Sequence, residues 1–102
     1  MASATGLREL EVRSAEAAQL LKLVANERRL LILCRLVVEK EMSVGALAEA
    51  VGLSQSALSQ HLAKMRDEGL VATRRESQTV FYRIADANVL RLLKFLKRVY
   101  CP

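Results

Sequence analysis

Residues 43–69 read SVGALAEAVGLSQSALSQHLAKMRDEG, and they contain the strongest signals for the fold. Ser43 and Ser54 each precede a run with helical apolar spacing, which is where a serine caps the start of a helix. Gly52 follows the last apolar residue of the first run, at a position where helices commonly end on glycine. Two short helices joined by a three-residue turn that contains glycine predict a helix-turn-helix.

Helices are also predicted on both sides of this motif. A first helix is expected over residues 7–25, which contain neither glycine nor proline. Asn26 is placed as the cap of a second helix that runs to about Glu39, and its apolar residues extend so far round that it belongs at the centre of the core. Asp86 caps a last helix, whereas residues 1–6 are expected to be loosely held.

The apolar period changes between the helix-turn-helix and the last helix. Residues 70–75 and 79–84 are rich in β-branched and aromatic residues, and residues 76–78 are expected at the tip of a hairpin. A helix-turn-helix followed by a β-wing is a winged helix. The predicted fold is therefore mostly α with a small β-hairpin, in the order α-α-α-α-β-β-α.

The first and last helices keep apolar stripes that the small core does not cover. Pairing across a two-fold axis would bury these stripes, so we expect a homodimer. In this organisation one domain covers residues 1–102, with dimerisation helices at 7–25 and 86–101, the helix-turn-helix at 43–68 and the wing at 70–84.

Composition restricts the function classes. The chain has 102 residues, and its 16 Lys and Arg against 11 Asp and Glu give a net charge of +5, which favours an anionic partner such as nucleic acid. One histidine and two cysteines are too few for a four-ligand Cys/His zinc site within one chain. A Cys-x-x-Cys motif, a second histidine and a βαβ pattern are all missing, which argues against an enzyme.

The sequence predicts neither a secretion signal nor a membrane span. Residues 1–10 lack an apolar core of signal-peptide length. No uncharged apolar run approaches the roughly 20 residues that cross a bilayer. We therefore expect a cytoplasmic protein that does not act at a membrane.

The second helix of the motif presents a polar face opposite Leu58, Leu62 and Met65. No acidic residue occurs between Gly52 and Met65. Glutamine can pair bidentately with adenine and serine can serve either base type, while lysine and histidine can reach phosphates. The candidate DNA contacts on this helix are Gln55, Ser56, Ser59, Gln60, His61 and Lys64.

The predicted hairpin adds Arg74, Arg75 and Arg83, which suit contacts to the DNA backbone or the minor groove. Three other interpretations stay open. The helix face is a solvated surface of an ordinary core helix, the arginines form a basic edge that resists aggregation, or the winged helix serves protein contacts only. Total charge does not decide, because residues 41–85 carry five basic and five acidic side chains.

Three segments together resemble the ArsR/SmtB family of winged-helix repressors. They are NERRL at residues 26–30, LSQSALSQHL at 53–62 and TVFYR at 79–83, and the resemblance spans about residues 15–101. It implies a homodimer that binds a palindromic operator in double-stranded DNA and leaves it when an inducer arrives.

Many members of that family sense metals, but the ligands of their sites are missing from this sequence. Ser43, Val44 and Gly45 stand where a Cys-x-Cys type motif would be needed. Asp86 is followed by no histidine and no further acid in the last helix. We therefore expect no metal and no other cofactor.

The two cysteines, Cys34 and Cys101, resemble the pair in the sulfide- and redox-responsive branch that contains BigR, SqrR and HlyU. The resemblance implies that a persulfide or another oxidant joins them through a di- or polysulfide bridge and that DNA is released. We expect Cys34 on the apolar face of its helix and Cys101 as the more accessible thiol. The alternatives are induction by peroxide or haem, an anti-repressor role, and two cysteines with no sensing role.

Overall fold

The computed structural model describes residues 4–100 of the chain, and over that range it forms six helices and three strands. The helices are α1 (Ala4–Val12), α2 (Ser14–Val24), α3 (Glu27–Glu39), α4 (Val44–Val51), α5 (Gln55–Asp67) and α6 (Ala87–Tyr100), and the strands are β1 (Met42–Ser43), β2 (Val71–Glu76) and β3 (Thr79–Ile84). The strands form one antiparallel sheet in the order β1-β3-β2. The predicted winged helix-turn-helix is confirmed.

The long first helix expected from the sequence is divided into α1 and α2. The backbone of Arg13 leaves the helical region, with φ −100° and ψ 16°. The hydrogen-bond ladder nevertheless continues, because the Arg13 N–H donates to the Glu9 carbonyl and the Ala17 N–H donates to the Arg13 carbonyl. Helix α1 begins at Ala4, so residues 4–6, which were expected to be loose, lie within it.

Strand β1 was not predicted, because a segment of two residues has no readable period. Met42 and Ser43 pair with Tyr82 and Phe81 of β3. This pairing places the start of α4 directly beside the wing. The same serine also caps α4, since its Oγ accepts a hydrogen bond from the Ala46 N–H at 3.2 Å.

The other predicted helix boundaries are confirmed by their caps. Asn26 Oδ1 accepts from the Arg29 N–H at 3.1 Å, and Ser54 Oγ accepts from the Ala57 N–H at 3.1 Å. Gly52 adopts a left-handed conformation with φ 71°, and its N–H donates to the carbonyl of Ala48. A side chain at position 52 would meet no atom within 4 Å, so the backbone conformation alone favours glycine there.

The hydrophobic core lies among α3, α4, α5, α6, the end of α2 and the base of the wing. Leu58, Leu62 and Met65 of α5 are completely buried in it. Each buried leucine contributes about 1.5–3 kcal/mol to stability, so these three residues fix the rotation of α5 about its axis. The remaining core residues are Val24, Ile32, Leu33, Leu36, Leu47, Ala48, Leu70, Val71, Val89 and Leu93.

No helix within residues 4–100 has both the length and the apolar character needed to cross a membrane.

Candidate nucleic-acid interface

Four of the six candidate residues of α5 lie on the side opposite its buried residues, whereas Gln55 and His61 lie on the flanks of the helix. His61 is half-buried and the other five are exposed, namely Gln55, Ser56, Ser59, Gln60 and Lys64. The turn before α5 begins with Gly52, Ser54 caps the helix, and Gln55 and Ser56 in its first turn are exposed. The amino-terminal end of a helix presented in this way can enter the major groove of DNA.

The side chain of Gln55 lies close to α4. Its Nε2 atom would be 3.6 Å from a methyl group built at Gly45, which is an ordinary van der Waals distance. The amide therefore lies over the first turn of α4. Gln55 of α5 thus lies beside the start of α4 while it stays exposed to solvent.

The three arginines of the wing do not form one patch. In the register of the hairpin, Arg74 lies opposite Phe81 and Arg83 lies opposite Ala72. Because alternate residues of a strand point to opposite faces, Arg74 and Arg83 share one face and Arg75 lies on the other. The sequence prediction grouped these arginines without this alternation.

Arg74 is occupied by contacts within the protein. Its Nη2 atom lies 2.6 Å from Oε1 of Glu41, its Nη1 lies 2.9 Å from Oε2 of Glu76, and its guanidinium stacks on the ring of Phe81 at 4.7 Å from the centroid. The hydrogen bond from Arg74 lowers the pKa of Glu41 below its ordinary value of 4.5. The hydrogen bonds to Glu41 and then Glu76 raise the pKa of Arg74.

These contacts distinguish Arg74 from the other two arginines of the wing. Arg75 and Arg83 are exposed, and within residues 4–100 neither makes a salt bridge. Arg74 braces the wing against the segment that precedes β1. Sequence reasoning missed Glu41 as the partner of Arg74, because the two residues are 33 positions apart and no local sequence pattern predicts the contact.

Cys34 lies outside the buried core, contrary to the expectation that its apolar surroundings would cover it. It is exposed and lines an apolar groove of about 470 Å³ between α3 and α6. The core side of α3 is formed by Ile32, Leu33 and Leu36, so the cysteine faces away from the core. The groove is also lined by Leu30, Val37, Val38, Leu93, Leu96, Lys97 and Tyr100.

Cys101, the second predicted sensing residue, lies outside the described residues. Tyr100, which precedes it in the sequence, is the last described residue of α6 and lines the groove that contains Cys34. The pairing of the two cysteines therefore stays a prediction. Residues 4–100 hold no group of three or more histidine, cysteine or acidic side chains that could bind a metal ion.

Comparison with known proteins identifies the family. The family model described as "Bacterial regulatory protein, arsR family" matches residues 26–73, which include the helix-turn-helix and the start of β2. The transcriptional activator HlyU of Vibrio cholerae is 55% identical over 95 residues, which is 93% of this chain and 87% of HlyU. The biofilm growth-associated repressor of Xylella fastidiosa is 40% identical over 93 residues, 91% of this chain and 81% of that protein.

A solved structure agrees with this assignment. The crystal structure of the regulator HlyU from Vibrio vulnificus superimposes with a TM-score of 0.87 at 53% identity, covering 93% of this chain and 98% of that one. The match includes the winged fold as well as the sequence of the helix-turn-helix. The chain belongs to the ArsR family of winged-helix proteins and is a DNA-binding transcriptional regulator.

Proposed function

We propose that the chain acts as a homodimeric repressor that binds a palindromic operator with α5 in the major groove. The observation that carries this proposal is the division of α5 into two faces. Leu58, Leu62 and Met65 are fully buried, while the opposite side exposes serine, glutamine and lysine, and the only acid of α5 is its last residue, Asp67. A face of this composition suits base edges and phosphates, and it lacks the apolar residues that a protein-binding surface would need.

Within this proposal, four residues near the start of α5 read the bases, and two further α5 residues hold the backbone. Glutamine and serine can hydrogen-bond to base edges, whereas His61 and Lys64 reach phosphates and position the helix. Arg75 and Arg83 extend the contact from the wing, and Arg74 joins them only after leaving its carboxylates. The proposed base-reading residues are Gln55, Ser56, Ser59 and Gln60.

The proposed dimer uses apolar side chains that a single chain leaves in solvent. Leu10, Leu21, Phe95 and Val99 are each more than half exposed, and they lie on α1, α2 and α6. Large apolar side chains left exposed on three helices favour an association site there. A two-fold dimer through these helices would present two copies of α5, which fit successive major grooves when they are about 34 Å apart.

The proposed regulation is the joining of Cys34 to Cys101 by reactive sulfur. In the simplest step, two thiols and one persulfide, RSSH, give a disulfide, RSH and H₂S, so the thiols are oxidised and the persulfide is reduced. The position of Cys34 in a groove beside the last turn of α6 supports this pairing. A bridge would tie α3 to the end of α6 and alter the proposed dimer face.

The DNA-binding part is tested with an operator obtained by selection from random double-stranded DNA. Gln60→Ala removes a base contact without touching the core, so the variant should lose about 1–3 kcal/mol of discrimination at one base pair. Fluorescence anisotropy on the operator and on single-base variants measures this loss. A Gln60→Ala variant that keeps both the wild-type affinity and the wild-type discrimination at every base pair would exclude Gln60 as a base contact.

The regulatory part is tested by intact-protein mass spectrometry and operator titration on the same samples after treatment with glutathione persulfide. We expect a bridge between Cys34 and Cys101 to appear together with a loss of affinity. Cys34→Ser should bind the operator and no longer respond. If that variant still dissociates, the two-cysteine mechanism is wrong, and treatment with peroxide or haem identifies the inducer instead.

A further inference from the structure

Arg29 is a buried charged residue that the DNA-binding surface does not use. It lies in the first turn of α3 and is 9% exposed. Its Nη1 atom donates to the carbonyl of Leu23 at 3.0 Å, and its Nη2 donates to Oε1 of Glu68 at 2.5 Å. One side chain therefore connects three parts of the molecule, namely the end of α2, the start of α3 and the end of α5.

The contact with Leu23 completes the end of α2. The last four carbonyls of a helix have no partner within that helix, and Leu23 is the second-last residue of α2. The guanidinium satisfies this carbonyl from a helix that begins after a bend at residues 25–26. The angle between α2 and α3 is thereby coupled to the position of the Arg29 side chain.

The contact with Glu68 holds the carboxyl-terminal end of α5. Glu68 is the residue directly after α5, and its own N–H donates to the carbonyl of Lys64 at 3.1 Å. The backbone of Glu68 is therefore held to the last turn of α5, and its carboxylate is held by Arg29. The side chains of Arg29 and Glu68 are 11% and 28% exposed, so water screens their attraction much less than it would screen a surface pair.

We propose that Arg29 and Glu68 are positioning residues for DNA binding, and that their ion pair sets the position of α5 relative to α2 without touching DNA. This inference rests on the proposed dimer. Because α2 carries part of the proposed dimer face, the pair determines the distance between the two copies of α5. The ligand it selects is an operator with one particular spacing between half-sites.

The test compares two neighbouring acids in the full-length dimer. Glu68→Gln removes the charge of the ion pair but keeps the size of the side chain. Asp67→Asn removes the same charge one residue earlier, where the carboxylate is exposed and makes no hydrogen bond or ion pair within residues 4–100. Each protein is titrated with the selected operator, with duplexes whose half-sites are one base pair closer or further apart, and with unrelated DNA.

The wild-type chain should bind one spacing best. We expect Glu68→Gln to bind that duplex about tenfold more weakly and to discriminate poorly among the three spacings, while its affinity for unrelated DNA stays at the wild-type level. Asp67→Asn should retain the wild-type spacing preference, with unchanged or slightly higher affinity because a negative charge near DNA has been removed.

Two results would overturn the inference. One is a Glu68→Gln spacing profile that matches that of Asp67→Asn. The other is an equal loss of affinity on all duplexes, including unrelated DNA, because that pattern reports a generally destabilised protein. A different result would contradict the proposed function itself, namely a wild-type chain that binds the selected operator no more tightly than unrelated DNA. Arg29→Lys, which keeps the charge but cannot reach both acceptors, should reproduce the spacing profile of Glu68→Gln.

Discussion

Two arginines brace the DNA-binding elements, and they differ mainly in burial. Arg29 holds the end of α5 through Glu68, with side-chain exposures of 11% and 28%. Arg74 holds the wing through Glu41 and Glu76, and its own side chain is 45% exposed. A buried pair is costly to break because it leaves a charge without a partner, whereas an exposed pair exchanges readily with water and salt. We therefore expect α5 to stay fixed when DNA binds and the wing to exchange its contacts for a phosphate.

The largest effect is expected from breaking the buried pair. Arg29→Ala leaves the Glu68 carboxylate and the Leu23 carbonyl without their donor, so the free energy of unfolding should fall by about 3 kcal/mol. Denaturant unfolding at fixed protein concentration measures this loss, with Arg74→Ala as the matched control. A smaller loss for Arg29→Ala than for Arg74→Ala would refute the distinction between the two braces.

The next effect concerns which positive charges meet DNA. Lys64→Ala and Arg75→Ala should each weaken binding about equally on all sequences and reduce the salt dependence of the affinity by about one phosphate contact. Lys94→Ala removes the same charge from the exposed surface of α6 and serves as the control. Identical salt dependence in Lys64→Ala, Lys94→Ala and the wild type would contradict the placement of Lys64 at the interface.

Releasing Arg74 from Glu41 should have a smaller effect on DNA affinity, and in the opposite direction. Glu41→Gln removes the main partner of Arg74, so the guanidinium becomes available to a phosphate. We expect this variant to bind DNA a few-fold more tightly than the wild type at low salt, because one negative charge is also lost. Tighter binding that persists in the double variant Glu41→Gln, Arg74→Ala would assign the gain to the lost charge alone.

The exposed pair of Glu41 and Arg74 also predicts a contribution to stability that is lost only in acid. The pKa of Glu41 in the folded chain lies below its ordinary value of 4.5. The pair therefore stabilises the fold above that value, and the contribution is lost as the pH falls through the lower folded pKa. Thermal unfolding of the wild type and Glu41→Gln should differ by a constant amount from pH 6 to 8 and converge in acid. A difference that changes between pH 6 and 8 would point to another group.

The elements of the fold follow from local signals, which is why they could be predicted. The side chains of Asn26, Ser43 and Ser54 cap their own helices within three residues, and Gly52 ends α4 by its own backbone conformation. The alternation in residues 79–84 likewise identifies a strand without reference to other parts of the chain.

The braces could not be predicted, because they join distant residues. Arg29 and Glu68 are 39 positions apart, and Arg74 and Glu41 are 33 apart. The exposure of Cys34 could not be predicted either. Apolar residues occur on most sides of α3, so the sequence does not show which side the core covers. The sequence therefore identified the candidate DNA-reading side chains of α5 but not the contacts that hold that helix.

A crystal structure of the chain bound to its selected operator tests directly whether the Arg29–Glu68 pair stays fixed while Arg74 exchanges its contacts. It should show α5 in the major groove with Gln60 against a base edge, the Arg29–Glu68 pair unchanged, and Arg74 turned from Glu41 towards a phosphate. A complex in which the Arg29–Glu68 pair is broken while Arg74 keeps both carboxylates would contradict this expectation.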